Sequence, residues 1–367
     1  MDAKRRVRLL PIIISLVIAY VAAIPNRAGR DVVVRRAWTV STALPGAAVG
    51  AAGEGEGHAF RVGNTFGYVS PSGALERLER VYTDVALDDG YYANYSKGGD
   101  AIALRRRDGG LAASLTGSGW PLLDDRLGEA VMVFSPDLLG LAEYAPDGAR
   151  RWERELGSFA TCFAAFPSTA AAGDARCAVG TLDGYLRVLG KDGSDLFRVG
   201  STGSRIPGSY GCAVSPEGRQ VIAALGLEPQ RLVAFERTGG TFREAWSRVL
   251  DVEVRAERLM CYSRDSRYLL MDGGRGIVVV DTRGRGSWVV AGRGVVFAAT
   301  AVGGEVAVEL REENGSGELL LLALPNVVLA RASIPAGGAP ERFLAGHDGY
   351  VLFGAYEHLE RLDILRS

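Results

Sequence analysis

Tyr144-Ala-Pro-Asp-Gly-Ala-Arg-Arg-Trp152-Glu-Arg-Glu-Leu156 is the stretch that sets the fold of this chain. Asp147-Gly148 separates two alternating apolar runs, 141–145 and 151–156. Asp-Gly in that setting is a hairpin turn, because a tight turn between strands needs positive φ at its central residues. The same arrangement recurs along the chain. It appears as 66–70 and 75–81 around Ser72-Gly73, and as 102–106 and 111–115 around Asp108-Gly109. It returns as 185–189 and 196–199 around Asp192-Gly193, then 232–236 and 242–249 around Gly239-Gly240. Two more copies follow, 277–280 and 288–291 around Arg283-Gly284, and 319–324 and 327–332 around Pro325-Asn326.

Counted between turn residues 73, 109, 148, 193, 239, 284 and 326, the spacings are 36, 39, 45, 46, 45 and 42, a mean of about 42. That is the length of one four-stranded propeller blade. Each interval holds two further short apolar runs, such as 211–215 and 220–224 around Pro216-Glu217-Gly218, or 260–263 and 268–271 around Arg264-Asp265-Ser266. No helical periodicity follows residue 25. The expectation is an all-β chain.

The blade count follows from the two ends. Residues 342–345, 350–355 and 359–364 supply three strands of a last blade, while 32–41 is a single strand ahead of the first blade, which spans roughly 46–81. Pairing that strand with the last three closes an eight-bladed ring, and closure removes the two open sheet edges that invite aggregation. A seven-bladed ring is the alternative if the N-terminal copy is irregular. Residues 46–57, rich in glycine and alanine, read either as an edge strand or as a flexible edge.

With these motifs the chain resembles the quinoprotein-type propellers, on the Asp147-Gly148 turn four residues before Trp152 and on looser copies at Gly240 with Trp246 and Gly284 with Trp288. Ser215-Pro-Glu-Gly-Arg219 and Ser263-Arg-Asp-Ser-Arg267 resemble the corresponding turn of WD-like and TolB-type propellers. An eight-bladed form without enzymatic residues is similar to the propeller scaffold subunit of the outer-membrane barrel assembly machinery. That subunit is a lipoprotein, whereas no cysteine lies near the N-terminal apolar run here. The quinoprotein likeness would imply a quinone and a calcium ion. This chain is short for such an enzyme and has no adjacent cysteine pair, so no cofactor is expected.

The N-terminus carries an address. Lys4, Arg5, Arg6 and Arg8 precede an apolar run from residue 9 to 24. A basic flank followed by apolar residues marks a signal peptide or signal-anchor, because the cations stay cytoplasmic while the apolar helix enters lipid. Sixteen residues make about 24 Å of helix against a roughly 30 Å hydrocarbon core, so length alone does not separate anchoring from cleavage after Val21-Ala22-Ala23. Residues 1–30 are therefore read as a cytoplasmic basic flank plus signal-anchor or signal peptide, with one hydrophobic helix, and 31–367 as the propeller domain. The expected location is the inner membrane with the propeller in the periplasm, or secretion after cleavage.

The chain has 367 residues, 47% hydrophobic and 23% charged, with net charge −1, which excludes disorder and an overall field for nucleic acid. All but three of its 42 cations are arginine, and arginine clusters such as 105–107 are read as solvated loops before anion sites. No Walker loop, Gly-x-Ser-x-Gly, Cys-x-x-Cys or EF-hand occurs, so no catalytic, cofactor-binding or metal residue is named. His58, His347 and His358 are read as exposed turn or strand residues. Cys162, Cys212 and Cys261 fall in first strands, where a small reduced thiol suits the crowded axis, and Cys177 falls in a second strand, where a bridge to Cys162 is conceivable. Trp152, Trp246 and Trp288 share one blade position, which points to packing between blades; Trp38 and Trp120 lie outside that register. The expected function is an anchored extracytoplasmic scaffold that binds protein partners in the bacterial envelope and is not an enzyme. The alternative is an enzyme or small-ligand sensor that uses the central channel.

Overall fold

The computed structural model describes residues 32–43, 57–336 and 343–366, apart from single positions 82, 97, 129, 170, 202 and 275. The hydrophobic helix expected before residue 30 and the 46–57 edge, except Gly57, lie outside the described residues. Eight antiparallel sheets follow one another, seven four-stranded and one three-stranded. The only helical element among the described residues is the single turn Asp125–Leu127. Every Gly-containing turn that set the repeat joins the last two strands of its sheet, as between Gly140–Tyr144 and Arg150–Glu155.

Burial explains the pattern within each blade. Second strands such as Ala175–Thr181 and Gln220–Leu227 are buried along their whole length, because neighbouring sheets cover both faces. Fourth strands such as Arg150–Glu155 alternate exposed and half-buried, because they form the rim. Hydrophobic burial is the main favourable term in folding, and here it is shared among the boundaries between sheets. Eight apolar clusters each bridge one pair of adjacent sheets. One joins Leu186 and Val188 to Val221 and Phe235, and another joins Leu270 and Val279 to Val306 and Leu320. The cluster of Phe60, Val62, Leu352 and Leu359 joins the first sheet to the last, so the ring is closed.

The last sheet is completed as the repeat requires. Val32–Ser41 pairs antiparallel with His358–Arg366, from Val32 against Arg366 to Ser41 against His358. The three-stranded sheet is His58–Val62, Thr65–Val69 and Leu75–Arg80. Its His58 end meets His347, at the first-to-second turn of the last sheet, and Asp89, at the same turn of the next sheet. It therefore runs as second strands do. Among the described residues this sheet has no innermost strand.

Trp38, Trp152 and Trp246 share one duty, whereas Trp288 packs edge-on against Tyr268 of its own sheet. The ring of Trp152 lies 2.8 Å from where a Cβ on Gly193 would stand, and Trp246 lies 2.8 Å from that position on Gly284. Each reaches the third-to-fourth turn of the following sheet. Trp38 does the same at Gly73, at 2.9 Å, so it belongs to the register from which the sequence had excluded it. The reason is that its strand is the rim strand of the last sheet, a role visible only once the ring closes.

Candidate functional site

Alternating strand direction gives the disc two unlike faces. First-to-second and third-to-fourth turns share one face; second-to-third turns and the crossings between blades share the other.

The first face carries the charged mouth of the central channel. The channel measures about 740 Å³, and its walls come from first strands: Phe163, Ala164, Ala165, Cys212, Ala213, Cys261, Ala299 and Ala301. At the mouth stand Asp124, Arg126, Arg264, His347 and Asp348. Arg264 and Asp348 form an exposed ion pair. Arg126 donates to the Val214 carbonyl at 3.2 Å, and among the described residues no carboxylate lies within ion-pair distance of its guanidinium.

Beside the mouth, the seam between the last and first sheets brings together side chains that sequence reading placed on exposed turns. His58 is 8% exposed and stacks on His347 with ring centroids 3.7 Å apart. His58 Nδ1 meets Asp89 Oδ2 at 3.3 Å, and its Nε2 is hydrogen-bonded to the Tyr350 hydroxyl at 2.8 Å, across 292 residues. The Ala59 N–H donates to the other Asp89 oxygen at 2.8 Å. Burial, and then the neighbouring His58, lower His347 to about 4. Its Nε2 is buried without a hydrogen-bond partner among the described residues. Burial lifts Asp88 to about 6, helped by Asp125 and Asp89 and opposed by the N–H groups of Tyr91 and Gly90. Burial also raises Asp125, with Asp89 adding to it. On Asp89 burial works upward, but hydrogen bonds from His58 and Ala59 outweigh it and the carboxyl stays below its ordinary value. His358 begins the strand His358–Arg366 and is exposed. No group of three or more His, Cys, Asp and Glu among the described residues is placed to hold a metal ion.

No spacing rule pairs His58 with His347, since they come from opposite ends of the chain. The Gly346-His-Asp-Gly349 turn placed His347 on the first face, but nothing local indicated its neighbour.

The second face carries an ion pair of Arg205 with Glu228 and, at another part of the ring, an exposed apolar patch. Leu139 on a second-to-third turn, Phe159 on a crossing and Leu182 on the next second-to-third turn are 36%, 50% and 50% exposed. The backbone holds them together. The Leu156 N–H donates to the Leu139 carbonyl at 2.8 Å, and the Leu182 N–H to the Phe159 carbonyl at 2.9 Å. Val252, two crossings further on, and Val249, leading into that crossing, are also exposed.

All four cysteines are free thiols. Cys162 and Cys177 do not face each other: Cys162 is paired with Gly180 and Cys177 with Ala165, because the two strands run offset. The Cys162 sulfur instead lies 3.5 Å from the Ser209 hydroxyl on the next sheet.

Comparison with known proteins gives three results. The profile of a family described as beta-propeller protein matches residues 1–366. An uncharacterised protein of Treponema pallidum (strain Nichols) is 23% identical over 222 residues, 60% of this chain; the match spans 56% of the relative's length. Among solved structures, BamB from Moraxella catarrhalis superimposes with a TM-score of 0.63 at 13% identity, covering 90% of this chain and 100% of that one. A chain of the mitotic checkpoint complex gives a TM-score of 0.52 at 11% identity, covering 75% of this chain and 87% of that one. At these identities the likeness establishes the shared fold.

Proposed function

The chain belongs to the β-propeller proteins, and on that footing we propose that it is a non-catalytic docking disc of the bacterial cell envelope. In this reading residues 1–30 tether it to the inner membrane and its apolar face holds a protein partner in the periplasm. The observation that carries the docking role is the contiguous exposed trio Leu139, Phe159 and Leu182. Exposed apolar patches on a soluble surface mark interaction sites. A few well-packed anchors contribute most of an interface's energy. A propeller suits the task because its turns can vary while the blade clusters keep them in place. The basic flank and the apolar run from 9 to 24 support the tether.

Crosslinking in intact cells followed by mass spectrometry tests the docking role. Leu139→Glu with Phe159→Glu should abolish the crosslinks of the wild-type protein while leaving its melting curve intact. An unchanged partner set would remove the apolar face from the account. Fractionation with N-terminal sequencing of the mature chain tests the tether separately.

One observation favours a second reading. Arg126 borders a 740 Å³ channel, and among the described residues no carboxylate lies within ion-pair distance of its guanidinium. Arginine's fork suits carboxylate and phosphate groups. In this reading the mouth senses a small anion, and the apolar face passes the signal to a partner.

A further inference from the structure

We propose that the seam between the seventh and last sheets is a lipid-facing surface, where an apolar groove beside Val32 takes up acyl chains of the membrane bilayer. The proposal rests on the reading that residues 9–24 lie in that membrane.

The groove exists because two features that fill other seams are missing here. On the third and fifth sheets, Trp152 and Trp246 stand opposite Glu143 and Ala234, each just before a register shift. Each indole covers the turn between the last two strands of the following sheet. The seventh sheet consists of Val295–Val302, Glu305–Arg311, Gly317–Ala323 and Val327–Ile334. It has the same shift, between Leu321 and Leu322, and the residue opposite Leu321 is Ala330. The turn is missing as well. The last sheet takes its outer two strands from opposite ends of the chain, so Val32 and Arg366 stand side by side where a hairpin would close. What is left is a cavity of about 710 Å³ between the two sheets.

Its lining is apolar. Ala307, Leu321, Val351 and Ile364 form a buried floor, and Val32, Val34 and Ala330 stand above it. Val33 is 54% exposed and pairs with Leu365, also exposed, so the apolar surface continues from the groove onto the rim. Four arginines surround it: Arg35, Arg36, Arg331 and Arg366. They pair with Asp363, Glu360, Glu318 and Glu305 respectively, and in every pair the guanidinium is the more exposed partner. An apolar strip edged by outward guanidiniums suits the boundary between acyl chains and headgroups. Apolar groups sink about 5–10 Å there, while the cations stay with the phosphates.

The occupant follows from where the apolar run joins the disc. Val32 is a groove residue, and eight Cα–Cα steps separate it from Ile24 at the end of that run. Those steps reach at most about 29 Å. With the run in the bilayer, this seam is held beside the lipid. The run itself is then committed to hydrocarbon and does not fill the groove. Val32 and Arg366 lie on the first face, since the Ile364 N–H donates at 2.8 Å to the carbonyl of Gly349 in a first-to-second turn. The exposed trio of Leu139, Phe159 and Leu182 is on the opposite face, pointing away from the lipid and open to a partner.

The test uses the full-length protein with the photocrosslinker p-benzoylphenylalanine replacing Val33, in vesicles of phosphatidylethanolamine and phosphatidylglycerol. Flotation is read first, and the products of irradiation are then mapped by mass spectrometry. The expected result is floating protein with phospholipid attached at position 33. The probe at Leu365 should repeat it, and the probe at Leu182 should give no lipid adduct. Adding Ala330→Trp, which puts an indole into the groove, should lower the adduct at position 33 several-fold. Floating protein without that adduct, equal adducts at positions 33 and 182, or a yield unchanged by Ala330→Trp would overturn the proposal and leave the tether standing. Crosslinks from position 33 to residues 9–24 or to a second copy would overturn it in the same way. Protein that does not float overturns the tether and this proposal with it. Where Ala330→Trp folds poorly, the comparison of the three probe positions decides.

Discussion

The indole of Trp38 lies across Gly73, 2.9 Å from the position a Cβ would take there, and its Nε1 donates to the Pro71 carbonyl at 3.0 Å. This contact joins a strand from the start of the chain to the turn of the first sheet. It repeats the contacts of Trp152 with Gly193 and Trp246 with Gly284. Gly73 has φ +92°, so an alanine there meets both backbone strain and the indole. Gly73→Ala should cost about 1–3 kcal/mol, measured by urea denaturation. Trp38→Ala, which frees that space, should partly rescue it. Two costs that simply add would show that the residues act independently.

Glu143 holds the boundary between the third and fourth sheets. It is 1% exposed and accepts from Arg176 Nε at 2.9 Å, Arg151 Nη1 at 2.7 Å and Trp152 Nε1 at 3.1 Å. Removing the carboxylate leaves the buried Arg176 charge uncompensated. Glu143→Ala should lower unfolding free energy by about 3–5 kcal/mol, read from chemical denaturation. Glu143→Leu with Arg176→Met should cost much less, since both charges then leave together.

Ring closure depends on Val32–Ser41. Deleting residues 1–41 exposes the rim edge of His358–Arg366. Size-exclusion chromatography should then show aggregation in place of the wild-type species.

His347 and Asp88 make opposite contributions to acid stability. His347 falls from 6.5 to about 4 in the folded protein, so between those pH values the unfolded chain binds more protons and stability falls as pH falls. Asp88 rises from 3.8 to about 6, so over nearly the same window the folded chain binds more protons and stability falls as pH rises. The two nearly offset each other in the wild type. Thermal melts between pH 4 and 6 should separate them: His347→Gln should gain relative stability towards pH 4, and Asp88→Asn towards pH 6.

If the channel mouth binds anions, isothermal titration with citrate or inorganic phosphate should give heat that falls steeply in Arg126→Gln and falls with added salt. Equal binding by wild type and variant would place the anion elsewhere.

Local sequence was enough to read the repeat. Asp-Gly and Gly-Gly turns between alternating runs depend on φ and side-chain alternation within a few residues, so the third-to-fourth hairpins, the blade length and the all-β class followed from them. The completing role of 32–41 followed from arithmetic on those turns. The partners across blades could not be read that way. His58 on His347 and Trp38 on Gly73 join segments that meet only because the ring closes. Which side chain faces which neighbour then depends on bulges, such as those before Cys162 and Gly211, that shift the alternation by one residue. Periodicity thus specifies what each blade is. The closed packing of eight sheets specifies which residues meet, because a side chain's direction there is settled by register and contact rather than by spacing along the chain.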